Sequence, residues 1–186
     1  MRMTIRNVRV AFPAIFEKQA IGDGEPAFGA KFIIPPDHPQ VAEIEAAVKA
    51  AAEAKWKEKA DGVMSVLKED KKVAFVKGPY RNKNGETYEG FDGMFHLSTR
   101  SADIQPTTLD SANNATNKDA GLIYGGAYLD AAVEFWAQDN KWGRRLNCTL
   151  RGVRFVKHGD RFSGSPPASA EEFGAPLEQA SGADFV

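Results

Sequence analysis

The strongest alternation of apolar and polar residues lies in residues 121–162, and it predicts a long β-hairpin. Residues 128–137 alternate with a period of two, residues 139–143 (DNKWG) suit a tight turn, and residues 145–151 alternate again. The predicted inward positions are Leu129, Ala131, Val133, Phe135, Leu146, Cys148 and Leu150. At Arg151-Gly152 the apolar positions change parity to Val153 and Phe155, which is typical of a β-bulge that bends a strand. A sheet bent in this way can curl into a small barrel.

Similar alternation elsewhere brings the expected number of strands to five. The predicted strands are residues 3–12, 27–35, 90–100, 126–137 and 145–157. The rings expected in the core are Phe12, Phe32, Phe135 and Phe155. The fold class is therefore mainly β, a five-stranded OB-fold-like barrel with one substantial α-helix and a disordered C-terminal tail.

The helix is expected after the second strand. Pro35-Pro36 stops that strand, Asp37 with Pro39 resembles a helix start, and apolar residues from Val41 to Trp56 recur at helical spacing. Residues 63–76 suggest a helical turn followed by a short strand at 73–76. Residues 77–90 read as a loop or hairpin tip, and residues 101–120 as a long surface connection.

Charge divides the chain into two parts. All 24 basic residues lie at or before Arg161 together with 21 of the 25 acids, so residues 1–162 carry a net charge of +3 and residues 163–186 carry −4. We therefore expect a domain at 1–162 and a flexible acidic tail at 163–186. The single cysteine, Cys148, and the lack of a long apolar run favour a soluble protein of a reducing cytoplasm.

Residue patterns typical of enzymes are missing from the sequence. The three histidines are scattered, one cysteine cannot form a thiolate cluster, and no phosphate-binding glycine motif or nucleophile elbow is found. We expect no catalysis, no cofactor and no metal.

Basic and aromatic residues are interleaved instead, which is the combination that holds single-stranded nucleic acid. Residues 141–161 contain seven basic residues against one acid. The candidate nucleic-acid-binding residues are Lys31, Lys77, Tyr80, Arg81, Lys83, Phe95, Arg100, Trp136, Trp142, Arg144, Arg145, Arg151 and Arg154. A solvated basic surface is the alternative for the stripe, and core packing is the alternative for each ring.

Four segments, VRVAFPAIFE, FGAKFIIPPD, IYGGAYLDAAVEFWAQDN and LRGVRFVKHGDRF, resemble a family of bacteriophage single-stranded DNA-binding proteins first catalogued as a domain of unknown function. The similarity covers residues 1 to about 162 in order. It implies an oligonucleotide-binding fold, no enzymatic activity and a role in phage DNA replication, recombination or repair. An RNA-binding barrel and a phage structural or adaptor protein remain as alternatives.

The tail gives a second likeness to such proteins, whose acidic tails commonly end in an aromatic residue and recruit replication proteins. Here Asp184 and Phe185 are the candidate partner-binding residues, although Val186 is last. A tail of charge −4 could also compete with DNA for the basic surface, and a purely solubilising tail is the remaining possibility.

Overall fold

A computed structural model describes residues 1–20 and 24–162, and these form a seven-stranded sheet with helices on one face. The strands are β1 (Arg2–Gln19), β2 (Ala27–Ile34), β3 (Phe75–Val76), β4 (Phe95–Ser101), β5 (Thr107–Leu109), β6 (Tyr128–Asn140) and β7 (Gly143–Lys157). The helices are α1 (Val41–Trp56) and α2 (Ala60–Glu69), joined by a 3-10 turn at Lys57–Lys59, and a second 3-10 turn lies at Lys118–Ala120. None of the helices within the described ranges is long and apolar enough to cross a bilayer.

The mainly β prediction is confirmed, whereas the five-stranded barrel is wrong. The strand order is β3-β4-β2-β1-β6-β7-β5, an open sheet with β3 and β5 at its edges. All pairs are antiparallel except β5 with β7. The sheet curls until Lys72 and Ala74, just before β3, form backbone hydrogen bonds with Leu146 of β7. This contact is an isolated bridge rather than a strand pair, so the sheet stays open.

The predicted hairpin is confirmed and is longer than expected. β6 and β7 pair from Tyr128–Lys157 to Asn140–Gly143, which leaves a two-residue loop, Lys141-Trp142. The register shifts between Ala132 opposite Gly152 and Val133 opposite Leu150, so Arg151 is the extra residue of the predicted bulge. All seven of the predicted inward residues are buried.

The helical segment begins later than the sequence suggested. α1 starts at Val41, and its N-cap is Gln40 rather than Asp37, without a side-chain cap bond. The Gln40 side chain is held by β1 instead: it donates to the Thr4 carbonyl (3.0 Å) and accepts from the Arg6 amide (2.7 Å). The apolar stripe including Ile44, Val48 and Trp56 packs on the sheet as predicted, and α2 adds Met64 and Leu67 to the same core.

Two bulges in β1 switch the sheet face on which its following side chains lie. Arg6 and Asn7 lie between the pairs Ile5–Ala131 and Val8–Leu129, so two residues oppose the single residue Asp130. Asn7 has a φ of 50°, a conformation that asparagine tolerates better than most residues. A one-residue slip exchanges the two faces of a strand, so Ile5 and Val8 both reach the core although their parity differs.

Asp130 holds the first bulge in place. Its carboxylate, 7% exposed, accepts hydrogen bonds from the Asn7 amide (3.0 Å), Arg6 Nη1 (3.1 Å), and Arg154 Nε (3.1 Å) and Nη2 (2.5 Å). Burial raises the pKa of Asp130, but the bonds from Arg154, Asn7 and Arg6 outweigh it and hold the pKa below its usual range. One carboxylate thus ties β1, β6 and β7 together.

We expect Asp130→Ala to lower the free energy of unfolding by about 1–3 kcal/mol at pH 7, because the Asn7 amide and two guanidinium groups lose their acceptor. Both arginines are partly solvated, which keeps the loss below that for a fully buried pair. The pKa of Asp130 is depressed on folding, so its stabilisation is present above the unfolded pKa of about 3.9 and is lost as the pH falls through the folded pKa.

Urea unfolding at several pH values measures this effect. Asp103→Ala, at an exposed position, is the control and should change stability by less than about 0.5 kcal/mol. An Asp130 variant as stable as the control at pH 7 would contradict the role given to this carboxylate.

Candidate nucleic-acid interface

The face of the sheet opposite the helices carries a second group of side chains, here called the outer face. Pairing of β1, β2 and β4 places Ala11, Lys31 and Ser98 in one row across this face. A small hydrophobic cluster of Ala11, Ile33 and Phe91 lies on it, separate from the main core. The outer face therefore has an apolar base of its own on which larger rings rest.

Phe12 projects from the second bulge of β1. Phe12 and Pro13 lie between the pairs Ala11–Lys31 and Ala14–Gly29, and Phe12 has a φ of 50°. Pro13 cannot donate a ladder hydrogen bond, so a bulge at this point suits the sequence. The Phe12 ring is 51% exposed, and its predicted place in the core is wrong because the bulge turns it outward. Of the other rings expected in the core, Phe32 and Phe135 are buried and Phe155 is partly buried against it.

The loop between β3 and β4 supplies rings beside Phe12. Tyr80 and Tyr88 stack with centroids 4.9 Å apart, and Phe12 meets them edge-on at 6.2 and 5.1 Å. Phe91 and His96 contact Tyr80 at 5.6 and 5.4 Å. We call these five residues the ring cluster. The Tyr88 amide donates to the Tyr80 carbonyl (3.0 Å), so the loop backbone holds the two tyrosines in register.

Lys31 adds a cation to the ring cluster. Its Nζ lies 3.9 Å from the centroid of the Tyr80 ring and 2.6 Å from Ser98 Oγ. Burial lowers the pKa of Lys31 to about 8. Burial also lowers the pKa of His96, whose Nδ1 donates to the Gly78 carbonyl (2.7 Å), and burial raises the pKa of Tyr80. With a pKa of about 8, Lys31 changes charge between pH 7 and 9.

Two more rings and two cations extend the outer face beyond the ring cluster. The Arg9 guanidinium lies 4.1 Å from the Phe162 ring centroid, and Lys157 Nζ lies 4.6 Å from that of Tyr128. Phe162 packs against Gly90, where φ is 84° and a Cβ would lie 2.5 Å from the ring. Because residue 90 is glycine, the Phe162 ring can pack closely against the outer face.

The structure brings only some of the predicted binding residues to the ring cluster. Tyr80 is part of it, and Lys31 lies against the Tyr80 ring. Arg100 is exposed on β4 opposite Gly29, where its Nη2 donates to the Glu25 carbonyl (3.2 Å). Arg81 and Lys83 are exposed in the loop that carries Tyr80, and Arg81 Nη1 donates to the Gly85 carbonyl (2.9 Å).

Two predicted residues, Lys77 and Phe95, lie on the helix side instead. Phe95 is half-buried against the main core and contacts Phe75 at 6.1 Å. Lys77 Nζ lies 5.8 Å from the Phe95 ring centroid and pairs with Glu45 of α1 at 3.0 Å. Both residues therefore lie away from the ring cluster, because Phe95 opposes the core residue Ile34 in the β2–β4 register.

The two predicted tryptophans of the hairpin are exposed but lie along β6 and at its tip, away from the ring cluster. Trp136 is 43% exposed, and its Nε1 donates to Thr149 Oγ1 (3.0 Å). Trp142 is 78% exposed in the two-residue loop. Eight residues of strand separate Trp136 from Tyr128, about 26 Å at 3.3 Å per residue. Trp136 and Trp142 are thus exposed outside the ring cluster.

The four predicted arginines of β7 differ in their partners. Arg154 binds Asp130, Arg151 lies 4.0 Å from Glu134, and Arg144 Nε donates to Asp139 (3.2 Å). Asp139 also accepts from Trp56 Nε1 of α1 (2.7 Å), so Arg144 points toward the helix side. Arg145 opposes Gln138 on the outer face, and no ion pair involves it within residues 1–20 and 24–162. The basic stripe is therefore partly neutralised, and Arg145 is the one of these four arginines without a carboxylate partner in the described ranges.

Sequence reasoning missed several residues of this surface, which are Arg9, Phe12, Tyr88, His96, Tyr128, Lys157 and Phe162. The Phe-Pro pair at 12–13 was a signal for a bulge in β1. Tyr88 follows Tyr80 in the same glycine-bearing loop, which was a further signal.

No three residues among His, Cys, Asp and Glu lie together in a metal-binding arrangement within residues 1–20 and 24–162. Cys148 is fully buried, and burial raises the pKa of its thiol. The partner-binding residues proposed for the tail, Asp184 and Phe185, lie outside the part of the chain that the structure describes.

Comparison with known proteins gives consistent results. The chain matches the family described as "Enterobacter phage Enc34, ssDNA-binding protein" over residues 1–186. It is 33% identical over 177 residues to protein p50 of Acyrthosiphon pisum secondary endosymbiont phage 1, covering 93% of this chain and 92% of that protein.

Two solved structures share the fold. The single-stranded DNA-binding protein from bacteriophage Enc34 in complex with ssDNA superposes with a TM-score of 0.70 at 21% identity, covering 87% of this chain and 89% of that one. The single-stranded DNA-binding protein gp2.5 of bacteriophage T7 gives a TM-score of 0.56 at 14% identity, covering 97% of both chains. At these identities the structural similarity shows the fold alone. The family match covers the whole chain, and it shows that the protein belongs to the Enc34 family of phage single-stranded DNA-binding proteins.

Proposed function

We propose that this protein binds single-stranded DNA across the outer face of its sheet, with the ring cluster and Lys31 at the centre of the site. The observation that carries the proposal is an exposed Phe12 ring beside two stacked tyrosines and a half-buried lysine, Lys31. Bases stack on such rings for about 1–3 kcal/mol each, and the flanking Arg9 and Lys157 would neutralise phosphates.

The arrangement favours a single strand over a duplex. Stacking on Phe12 requires a base with a free face, which a paired base inside a helix does not offer. Rings and flexible cations also read no particular base edge, so the binding is expected to tolerate any sequence. RNA remains the second candidate, because none of the contacts described here depends on the absence of a 2′-hydroxyl.

The biological role follows from the family. We propose that the protein protects single strands during replication, recombination or repair of phage DNA in the host cytoplasm, and that it does so without catalysis. Residues 1–162 would form the DNA-binding domain, because the strands, the ring cluster and Phe162 all lie within them.

Competition binding tests the proposal directly. We expect labelled oligo-dT to be displaced by unlabelled oligo-dT and much less by duplex DNA of the same length. Phe12→Ala should weaken oligo-dT binding by about 1–3 kcal/mol, roughly 5- to 150-fold, because one stacking surface is lost.

Val66→Ala is the matched control for that experiment, because Val66 is 55% exposed on α2, on the opposite side of the sheet. It should leave affinity unchanged. Equal affinity for duplex and single strand would refute the proposal, tighter binding of oligo-U would favour RNA, and an unaffected Phe12 variant would remove the ring cluster from the site.

The salt dependence of DNA affinity distinguishes the proposed roles of Arg144 and Arg145, two neighbouring arginines of β7. Arg145→Ala should reduce the slope of log affinity against log salt by about 0.7, the value for one phosphate contact on a single strand. Arg144→Ala should change the slope little, because Arg144 is paired with Asp139 toward the helix side. Titrations from low to high salt measure both slopes, and identical slopes for the wild type and the Arg145 variant would show that the hairpin stripe is solvated surface.

The lowered pKa of the half-buried Lys31 predicts a dependence of affinity on pH. A phosphate favours the charged form of Lys31, whose pKa is about 8 in the free protein, so DNA binding takes up protons above that pH. At pH 9 about a tenth of Lys31 stays charged, and affinity should be about tenfold weaker than at pH 7.

Lys31→Arg keeps the charge over this range and should remove most of the loss, whereas titration of any other group would persist in that variant. Fluorescence anisotropy at constant ionic strength gives the two profiles, with near-ultraviolet circular dichroism to verify folding. Parallel profiles would mean that Lys31 does not meet the phosphates.

A further inference from the structure

A pocket on the helix side is separate from the proposed DNA site. It lies between α1, α2 and β3 and has a volume of about 230 Å³. Val48, Met64 and Phe75 contribute its apolar wall, and Lys68, Lys71 and Lys77 stand around it. An apolar cavity of about 150 Å³ accommodates a benzene ring, so this pocket has room for an aromatic side chain.

The charge around the pocket is unbalanced. Glu45 also lines it and pairs with Lys77 at 3.0 Å. Lys68 and Lys71 are exposed and belong to no ion pair between described residues. The pocket therefore suits an aromatic residue that is flanked by two acids.

We propose that the pocket binds the C-terminal segment of the same chain, with the Phe173 ring inside and Glu171 and Glu172 against Lys68 and Lys71. The sequence Glu171-Glu172-Phe173 places two acids directly before a ring, and Leu177 with Glu178 continues the pattern. Phe185 has a single acid beside it, Asp184, and matches the two unpaired lysines less well.

The chain can reach the pocket around the β3 edge of the sheet. Phe162 and Ile33 both lie next to Gly90. From Ile33 the row of paired residues runs to His96 on β4 and then to Val76 on β3. Two strand spacings of about 4.8 Å separate Ile33 from Val76, which lines the pocket. The eleven residue steps from Phe162 to Phe173 span up to about 36 Å, which is ample for that path.

Methyl NMR on the full-length protein tests this inference without DNA, so its outcome is independent of the proposed function. A phenylalanine ring in the pocket shifts the Met64 methyl resonance by its ring current. Phe173→Ala should abolish that shift, Lys68→Ala with Lys71→Ala should reduce it, and the matched control Phe185→Ala should leave it intact.

A spin label on Ala175→Cys gives a second readout, because Cys148 is buried and resists labelling. The label should broaden the Met64 methyl, and Phe173→Ala should relieve the broadening. Three results would overturn the inference. The first is a Met64 methyl resonance that is unchanged in Phe173→Ala and is not broadened by the label, and the second is broadening of the Ile33 methyls on the outer face instead of the Met64 methyl. The third is a Met64 effect that disappears on dilution, which would mean that the tail of a second copy of the chain occupies the pocket.

Discussion

The bonds that Asp130 accepts from Asn7, Arg6 and Arg154 set the geometry on which the rest of the structure depends. They hold the first bulge of β1 and so decide which face each later residue of that strand occupies. Val8 and Val10 then reach the main core, while Arg9 and Ala11 reach the outer face. Without this register the Phe12 bulge would present its ring elsewhere, and the ring cluster would lose the strand that supports it.

The two faces of the sheet differ in burial and in the chemistry of their side chains. The helix-covered face buries a large apolar core, including Ile44, Trp56 and Leu129, which supplies stability without further polar chemistry. The outer face has only a small apolar base, so Phe12 stays exposed and Tyr80, Tyr88 and Lys31 are only partly buried. Such a division allows residues of the outer face to be selected for binding while the core maintains the fold.

Partial burial changes the chemistry of the outer face. Lys31 lies beside the Tyr80 ring, and burial lowers its pKa to about 8, so the amine stays mostly charged at neutral pH. An incoming phosphate would replace part of the water that this amine has lost, which couples binding to protonation. Arg144, Arg151 and Arg154 already have carboxylate partners, so a count of basic residues overstates the positive charge that the sheet offers.

The sequence by itself determined the mainly β class, the β6–β7 hairpin with its bulge at Arg151 and the buried stripe of α1. These follow from local periodicity and composition, which act within one strand or helix. Only the tertiary structure decided the seven-stranded open sheet, the outward turn of Phe12, the placement of Phe95 and Lys77 on the helix side, and the approach of Arg9 to Phe162. Each of these depends on which strands pair and in what register, and that is set by contacts between residues far apart in the chain, such as Asn7 with Asp130, that no local pattern encodes.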